Sequence, residues 1–298
     1  MDVEPKAVAV RHSVLPALLL FAGSFALVYW QVFARLVHDW MNDGNYSHGF
    51  LIVPLSLYFA WERRARIRTL QRQPSTFGLV VVIGSLIVLL AGLMAAELFL
   101  TRVSIIGVVA GTILFLYGWP TLGVLALPVL FLLLMIPIPA ILLNQVTFPL
   151  QLLASQVGEQ SLRALDVPVL REGNVIVLAN VSLEVAEACS GIRSLISLLT
   201  LGIVYGYFVD PRFGVRFIVA LSTIPIAIVS NGLRVAGTGI AAHYWGAKVA
   251  EGFFHTFSGW LVFVVAFLML FVVTRLIIRL VPPSSPPLVP DPLLAVRS

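Results

Sequence analysis

Long apolar segments, separated by short polar or charged ones, follow one another through most of this chain. About 20 apolar residues in an α-helix cross the hydrocarbon core of a bilayer, and a backbone within lipid must satisfy its hydrogen bonds inside the segment. Only 11% of the residues are charged, against about 25% in soluble domains. We therefore predict an all-α polytopic membrane protein with about eight transmembrane helices. The predicted spans are 14–36, 46–61, 77–96, 103–118, 120–137, 189–209, 214–234 and 256–280.

The arginines predict how these spans are oriented. The loop 62–73 carries five arginines, and basic loops of membrane proteins stay in the cytoplasm. Counting spans from this loop places both termini in the cytoplasm. Lys6 and Arg11 precede the first apolar run, no small-residue cleavage site is obvious after it, and more spans follow, so this run is predicted to be an anchor. The orientation of the spans thus accounts for the formal charge of +5. The expected partner is the bilayer rather than a nucleic acid.

The segment 137–188 is the largest predicted piece outside the membrane, on the non-cytoplasmic side. Its first part, 141–165, mixes apolar residues with glutamines and suits an interfacial amphipathic helix. Its second part alternates over 175–178 and 181–185, which predicts a small periplasmic β-hairpin. We expect residues 1–281 to form a single transmembrane domain that includes this insertion, and the proline-rich residues 282–298 to form a disordered cytoplasmic tail.

Three residues suited to covalent catalysis fall at the same predicted membrane depth. Cys189 opens the sixth predicted span, Arg234 closes the seventh and His255 opens the eighth. A helix N-terminus lowers the pKa of a thiol, a histidine can carry its proton, and an arginine can bind an oxyanion or a carboxylate. Each also has a structural reading, as a buried thiol, a lipid-facing arginine or an interfacial histidine. Their shared depth favours a cysteine-dependent enzyme.

Four further residues are predicted to contact a substrate. Arg193 follows Cys189 by one helical turn, where it orients a substrate or pairs with a buried acid, and Asn231 lies one turn before Arg234. Glu187 has a structural alternative, the stabilisation of a helix N-terminus, and His48 has one as a loop cap. The histidines lack ligand spacing and the chain has one cysteine, so we expect neither a metal nor another cofactor.

Three motifs resemble those of the exosortases, the bacterial members of the exosortase/archaeosortase family. They are Glu187-Ala-Cys-Ser-Gly-Ile-Arg-Ser-Leu195, Asn231-Gly-Leu-Arg234 and Phe254-His-Thr-Phe-Ser-Gly-Trp260, and the resemblance extends back to Asn45-Tyr-Ser-His-Gly. The resemblance implies a catalytic set of Cys189, Arg234 and His255.

The same resemblance implies a cysteine protease or transpeptidase in a bacterial inner membrane, with its active site facing the periplasm. Its substrates would be membrane-anchored proteins with a C-terminal sorting signal: a Pro-Glu-Pro-like motif, a transmembrane helix and an arginine-rich end. Such enzymes are often linked with exopolysaccharide production.

Two other classes of protein remain as alternatives. One is a transporter or a non-catalytic partner in exopolysaccharide export. A transporter is expected to have polar residues at the midplane and inverted repeats with broken helices. The predicted spans are nearly free of midplane charge, which argues against it. An intramembrane metalloprotease is disfavoured because no cluster of metal ligands is present in the sequence.

Overall fold

The computed structural model describes residues 9–179, 181–185, 191–246 and 253–281, with the backbone alone at 9–15, 17, 18, 191–194 and 253–258. Within these ranges the chain is mostly helical, and five helices are long and apolar enough to cross a membrane. They are Leu19–Asn42, Phe77–Met94, Leu98–Tyr117, Phe213–Trp245 and Gly259–Leu280. A sixth is added if the bent pair Trp119–Met135 and Ala140–Ala164 is one broken span. The predicted helical membrane protein is confirmed at this level.

Ten α-helices and three β-strands are assigned in the described ranges. The helices are α1 (Ala9–Asn42), α2 (Gly49–Glu62), α3 (Arg64–Thr69), α4 (Phe77–Met94), α5 (Leu98–Tyr117), α6 (Trp119–Phe131), α7 (Ala140–Ala164), α8 (Gly191–Val209), α9 (Phe213–Trp245) and α10 (Phe253–Leu280). The strands β1 (Val169–Glu172), β2 (Val175–Leu178) and β3 (Ser182–Glu184) lie between α7 and α8.

Each of the eight predicted spans overlaps a helix of the structure, but some of these helices are too short to cross a bilayer on their own. The second and sixth predicted spans coincide with the shorter apolar helices Gly49–Glu62 and Leu195–Val209. The count of eight, the position of α7 in the interface and the periplasmic location of the strands stay predictions.

Two compact units divide the chain between Leu142 and Leu143. In the first unit, α1 packs on α4 and α5 through Tyr29, Leu89 and Ile105. The Tyr29 hydroxyl lies 3.0 Å from the Ser104 hydroxyl, so its polar end is satisfied within this apolar contact. The expectation of one transmembrane domain stays a prediction, and its disordered tail, 282–298, lies outside the described residues.

The contact between α4 and α5 depends on glycines. A Cβ atom on Gly78 would lie 2.6 Å from the Gly111 carbonyl oxygen, and one on Gly111 would lie 2.8 Å from Val82 Cγ2. Such distances are below van der Waals contact, so the two backbones approach closely only because these positions lack side chains. Small residues serve this purpose where helices meet in lipid, because burial from water supplies no driving force there.

In the second unit, α8, α9 and α10 form a three-helix bundle. Its core contains Leu198 from α8, Val219 and Ile226 from α9, and Leu270 from α10, all nearly inaccessible. At one end of the bundle, Asp210 accepts hydrogen bonds from the Arg212 side chain, which also donates to the Val281 carbonyl oxygen at 2.7 Å. Arg212 thereby lowers the pKa of Asp210 and fixes the α8–α9 connection to the end of α10.

A second apolar core lies beyond this bundle and contains α7, the sheet and the last third of α9. It joins Ala154 and Leu162 of α7, Ile176 of β2, and Val235 and Ala242 of α9. The sheet is antiparallel in the order β1-β2-β3, with Val169 opposite Leu178 and Ile176 opposite Leu183. The predicted hairpin is therefore present as β2 and β3, while the first strand was missed. We call α7 and the three strands the cap.

The helix of the seventh predicted span, 214–234, continues beyond that span to Trp245. Its 33 residues extend about 50 Å at 1.5 Å per residue, against a hydrocarbon core of about 30 Å. A crossing of about 20 residues from Phe213 ends close to Asn231 and Arg234. The residues after it are helical because their apolar side packs against the cap.

Replacing Gly78 with valine should weaken the first unit, because the new side chain would collide with the backbone of α5. Overpacking of this kind costs about 1–3 kcal/mol. We expect a lower unfolding temperature for Gly78→Val in detergent. Gly84→Val is the matched control on the same helix, since nothing lies within 4 Å of a Cβ there. Equal losses in the two variants would contradict the proposed contact.

Candidate active site

Two predicted site residues of the second unit, Asn231 and Arg234, lie where the three-helix bundle meets the cap. Asn231 and Arg234 project from α9, and their side chains are described. Arg193 and His255 are the third residues of α8 and α10, where the backbone alone is described. Cys189 and Glu187 lie outside the described residues. In sequence, Cys189 is two residues before the first residue of α8.

The Arg234 guanidinium reaches the first turns of α10. Its Nη2 and Cζ atoms lie 3.7 and 3.9 Å from where a Cβ on Gly259 would stand. Gly259 follows position 255 by four residues, or about one helical turn. The structure therefore places the arginine of the second motif against the glycine of the third, one turn from the predicted catalytic histidine. A larger residue at position 259 would stand at the guanidinium.

The glycine between Asn231 and Arg234 allows α7 to contact α9 beside these two residues. A Cβ on Gly232 would lie 2.5 Å from Val157 Cγ1, and one on Gly158 would lie 2.6 Å from Val235 Cγ1. Each helix therefore packs a valine against a glycine of the other, and neither glycine position has room for a side chain. The cap is held directly against the helix that carries Arg234.

Asn231 is buried, with 6% of its surface exposed, and it borders a cavity of about 10 Å³. Gln151 of α7 and Leu195 of α8 line the same cavity, so it lies between three helices close to the start of α8. This volume holds about one water molecule. Gln151 was not among the predicted site residues, because its position in an amphipathic helix gave no signal that it would line a cavity with Asn231.

Polar contacts fix the sheet to α7. The Ser155 hydroxyl donates to the Gly173 carbonyl oxygen at 3.1 Å, and the Arg171 side chain donates to Glu159 at 2.8 Å. The Val185 amide donates to the Asn174 carbonyl oxygen at 2.9 Å. Val185 is the last described residue before position 191, and these contacts fix its position in the cap.

His48 lies in the first unit, in the turn before α2. Its Nε2 donates to the Leu134 carbonyl oxygen at 3.1 Å, and two residues earlier the Tyr46 hydroxyl accepts from the Ile138 amide at 3.3 Å. The contacts support the structural alternative for this histidine, as an anchor of the segment after α6. Its contact with substrate stays a prediction.

Among the side chains that the structure describes, no three of His, Cys, Asp or Glu are close enough to hold a metal ion. Cys189 and His255 are not in that set, so the expectation of a site without metal or cofactor stays a prediction. The described polar side chains here are the Arg234 guanidinium and the amides of Asn231 and Gln151, groups that bind anions and peptide groups.

A family model described as transmembrane exosortase matches residues 40–272. The match covers both units and all three motifs, including the positions of Cys189, Arg234 and His255. No curated protein and no solved structure matches the chain.

A valine in place of Gly232 should separate the cap from α9, because its side chain would overlap Val157. We expect a fall of several degrees in the unfolding temperature, from a cost of about 1–3 kcal/mol, and faster proteolysis within residues 165–185. Gly237→Val on the same helix is the control, because a Cβ there has no atom within 4 Å. Unchanged protection of the cap in Gly232→Val would contradict this packing.

Proposed function

We propose that this chain, which belongs to the transmembrane exosortase family, is a membrane-embedded cysteine transpeptidase or protease. Its proposed substrates are membrane-anchored proteins that end in a sorting signal: a Pro-Glu-Pro-like motif, a transmembrane helix and an arginine-rich tip. The proposed location is the bacterial inner membrane, with both termini in the cytoplasm and the active site facing the periplasm.

The observation that carries this proposal is the contact of Arg234 with Gly259. It joins two motifs that are separated in sequence, and it lies one turn from position 255. The first motif, which contains Cys189, leads into α8, which packs against both α9 and α10 and begins two residues after Cys189. A guanidinium at this junction is positioned to meet a carbonyl or carboxylate that reaches the starts of α8 and α10.

In the proposed reaction the Cys189 thiolate attacks the scissile carbonyl carbon within the sorting signal. The first turn of α8 stabilises the thiolate, because a helix N-terminus favours negative charge. His255 takes the thiol proton and returns it to the leaving amine. Arg234 stabilises the oxyanion or binds the glutamate of the substrate motif. Asn231, Arg193 and Glu187 contact the substrate around it, and His48 is a further candidate contact.

The bonds in this reaction balance without a cofactor. The substrate C–N bond breaks, a thioester forms on Cys189, and the new amine leaves with its membrane helix. An acceptor amine then attacks the thioester in transfer, or water does in hydrolysis. The cap, held against α9 at Gly232, covers the junction and limits which acceptor enters.

Replacing Cys189 with alanine should abolish processing, because no other thiol is present in the chain. Arg234→Lys should slow it by about 10² to 10³-fold, as the loss of an oxyanion donor does. The measurement is the fraction of a substrate with a Pro-Glu-Pro-type signal that is converted in cells, followed by its change in mass on a gel.

His243→Ala, at a partly exposed position in the last turn of α9 and outside the three motifs, is the control and should process normally. If Cys189→Ala also processes normally while the substrate remains intact without the enzyme, the proposed chemistry is wrong. The chain would then be better explained as a non-catalytic partner in export.

A further inference from the structure

A polar cavity lies in the first unit, and none of its lining residues has a role in the proposed reaction. It has a volume of about 180 Å³ and is bordered by α1, the end of α4 and the start of α5. Gln31 and Arg35 from α1 line it, together with Glu97 and Arg102. Because α4 and α5 are both candidate spans, the turn that joins them lies near the surface of the bilayer.

Arg102 is the most deeply buried charged group on this cavity. Only 2% of its surface is exposed, and its Nη2 donates to Asp39 Oδ2 at 2.5 Å. Its Nε–H is buried and has no hydrogen-bond acceptor among the described residues. A buried donor without an acceptor costs about 1–3 kcal/mol, and more when it is charged. Arg102 lines the cavity and brings a positive charge to its wall, while its Nε–H is enclosed by the protein.

The nearby carboxylates are already engaged. Asp39 is paired with Arg102, and Glu97 accepts the Leu100 amide at 2.8 Å as the N-cap of α5. The positive end of that helix offsets part of the charge of Glu97. Arg35 is exposed at the same cavity, so an acceptor-only anion would meet two guanidinium groups, the arrangement that suits phosphate oxygens.

The apolar part of the wall indicates where this anion is attached. Leu93 and Leu98, on either side of the α4–α5 turn, are 50% and 38% exposed, and both line the cavity. In a span these side chains contact lipid. A ligand that places a phosphate at the arginines and hydrocarbon along the leucines matches both surfaces.

We propose that this cavity binds the phosphodiester group of a membrane phospholipid. Arg35 is its donor, Arg102 adds positive charge to the cavity wall, and the acyl chains lie along Leu93 and Leu98. The site is independent of the proposed catalytic reaction.

The full chain, delipidated in detergent, tests this proposal by its unfolding temperature during titration with dioctanoyl phosphatidylglycerol. A ligand that binds the folded state raises this temperature with concentration. Dioctanoylglycerol, which lacks the phosphate, should give no comparable rise. Arg35→Gln should weaken the apparent affinity about tenfold, as expected for one charge-assisted hydrogen bond. Arg68→Gln, in the exposed basic loop, should leave it unchanged.

Arg35→Gln is the deciding variant, because Arg35 is exposed and its replacement leaves the packing of the first unit intact. Equal stabilisation by dioctanoylglycerol, or an equal affinity in Arg35→Gln and wild type, would overturn the proposal. An equal rise with inorganic phosphate alone would also overturn it, by identifying a soluble anion as the ligand.

Discussion

The length of α9 determines the architecture of the second unit. A helix of 33 residues is about 20 Å longer than the hydrocarbon is thick, so its two parts face different surroundings. The first part packs between α8 and α10 through Val219 and Ile226. The second part buries Val235 and Ala242 against the cap. Asn231 and Arg234 lie where one kind of packing gives way to the other.

This transition explains why a polar site can form there. A guanidinium within a bilayer is costly unless it has partners or water, whereas at the end of the bundle it lies between helix starts and a small folded cap. The glycines at 158 and 232 bring α7 into contact with α9, and Ser155 holds the sheet on α7. The cap is thereby positioned by the same helix that presents Arg234 to Gly259. The family match and this arrangement support the same proposed reaction.

Sequence reasoning predicted what depends on local pattern and missed what depends on long-range packing. Apolar runs predicted the helices, and alternation predicted β2 and β3. Sequence reasoning did not extend the helix of the seventh span beyond Arg234. The residues that follow, Ala236 to Ala242, are mostly small and weakly apolar, so their pattern does not predict that the cap buries them. The pairing of Arg102 with Asp39 joins residues 63 positions apart, so neither indicated its partner. The motifs predicted that Arg234 lies at one end of the bundle. Only the structure showed that Gly259 is its neighbour.

The central claim is that the starts of α8 and α10 meet beside Arg234, so that Cys189 and position 255 are close together. The native cysteine is the only one, so a single introduced cysteine can form an internal disulfide with it alone, which requires Cα atoms within about 7 Å. Copper-catalysed oxidation of His255→Cys should give an internal disulfide detectable by mass spectrometry, whereas Leu280→Cys, at the far end of α10, should not. A free thiol pair in His255→Cys under conditions that oxidise exposed control cysteines would contradict the account.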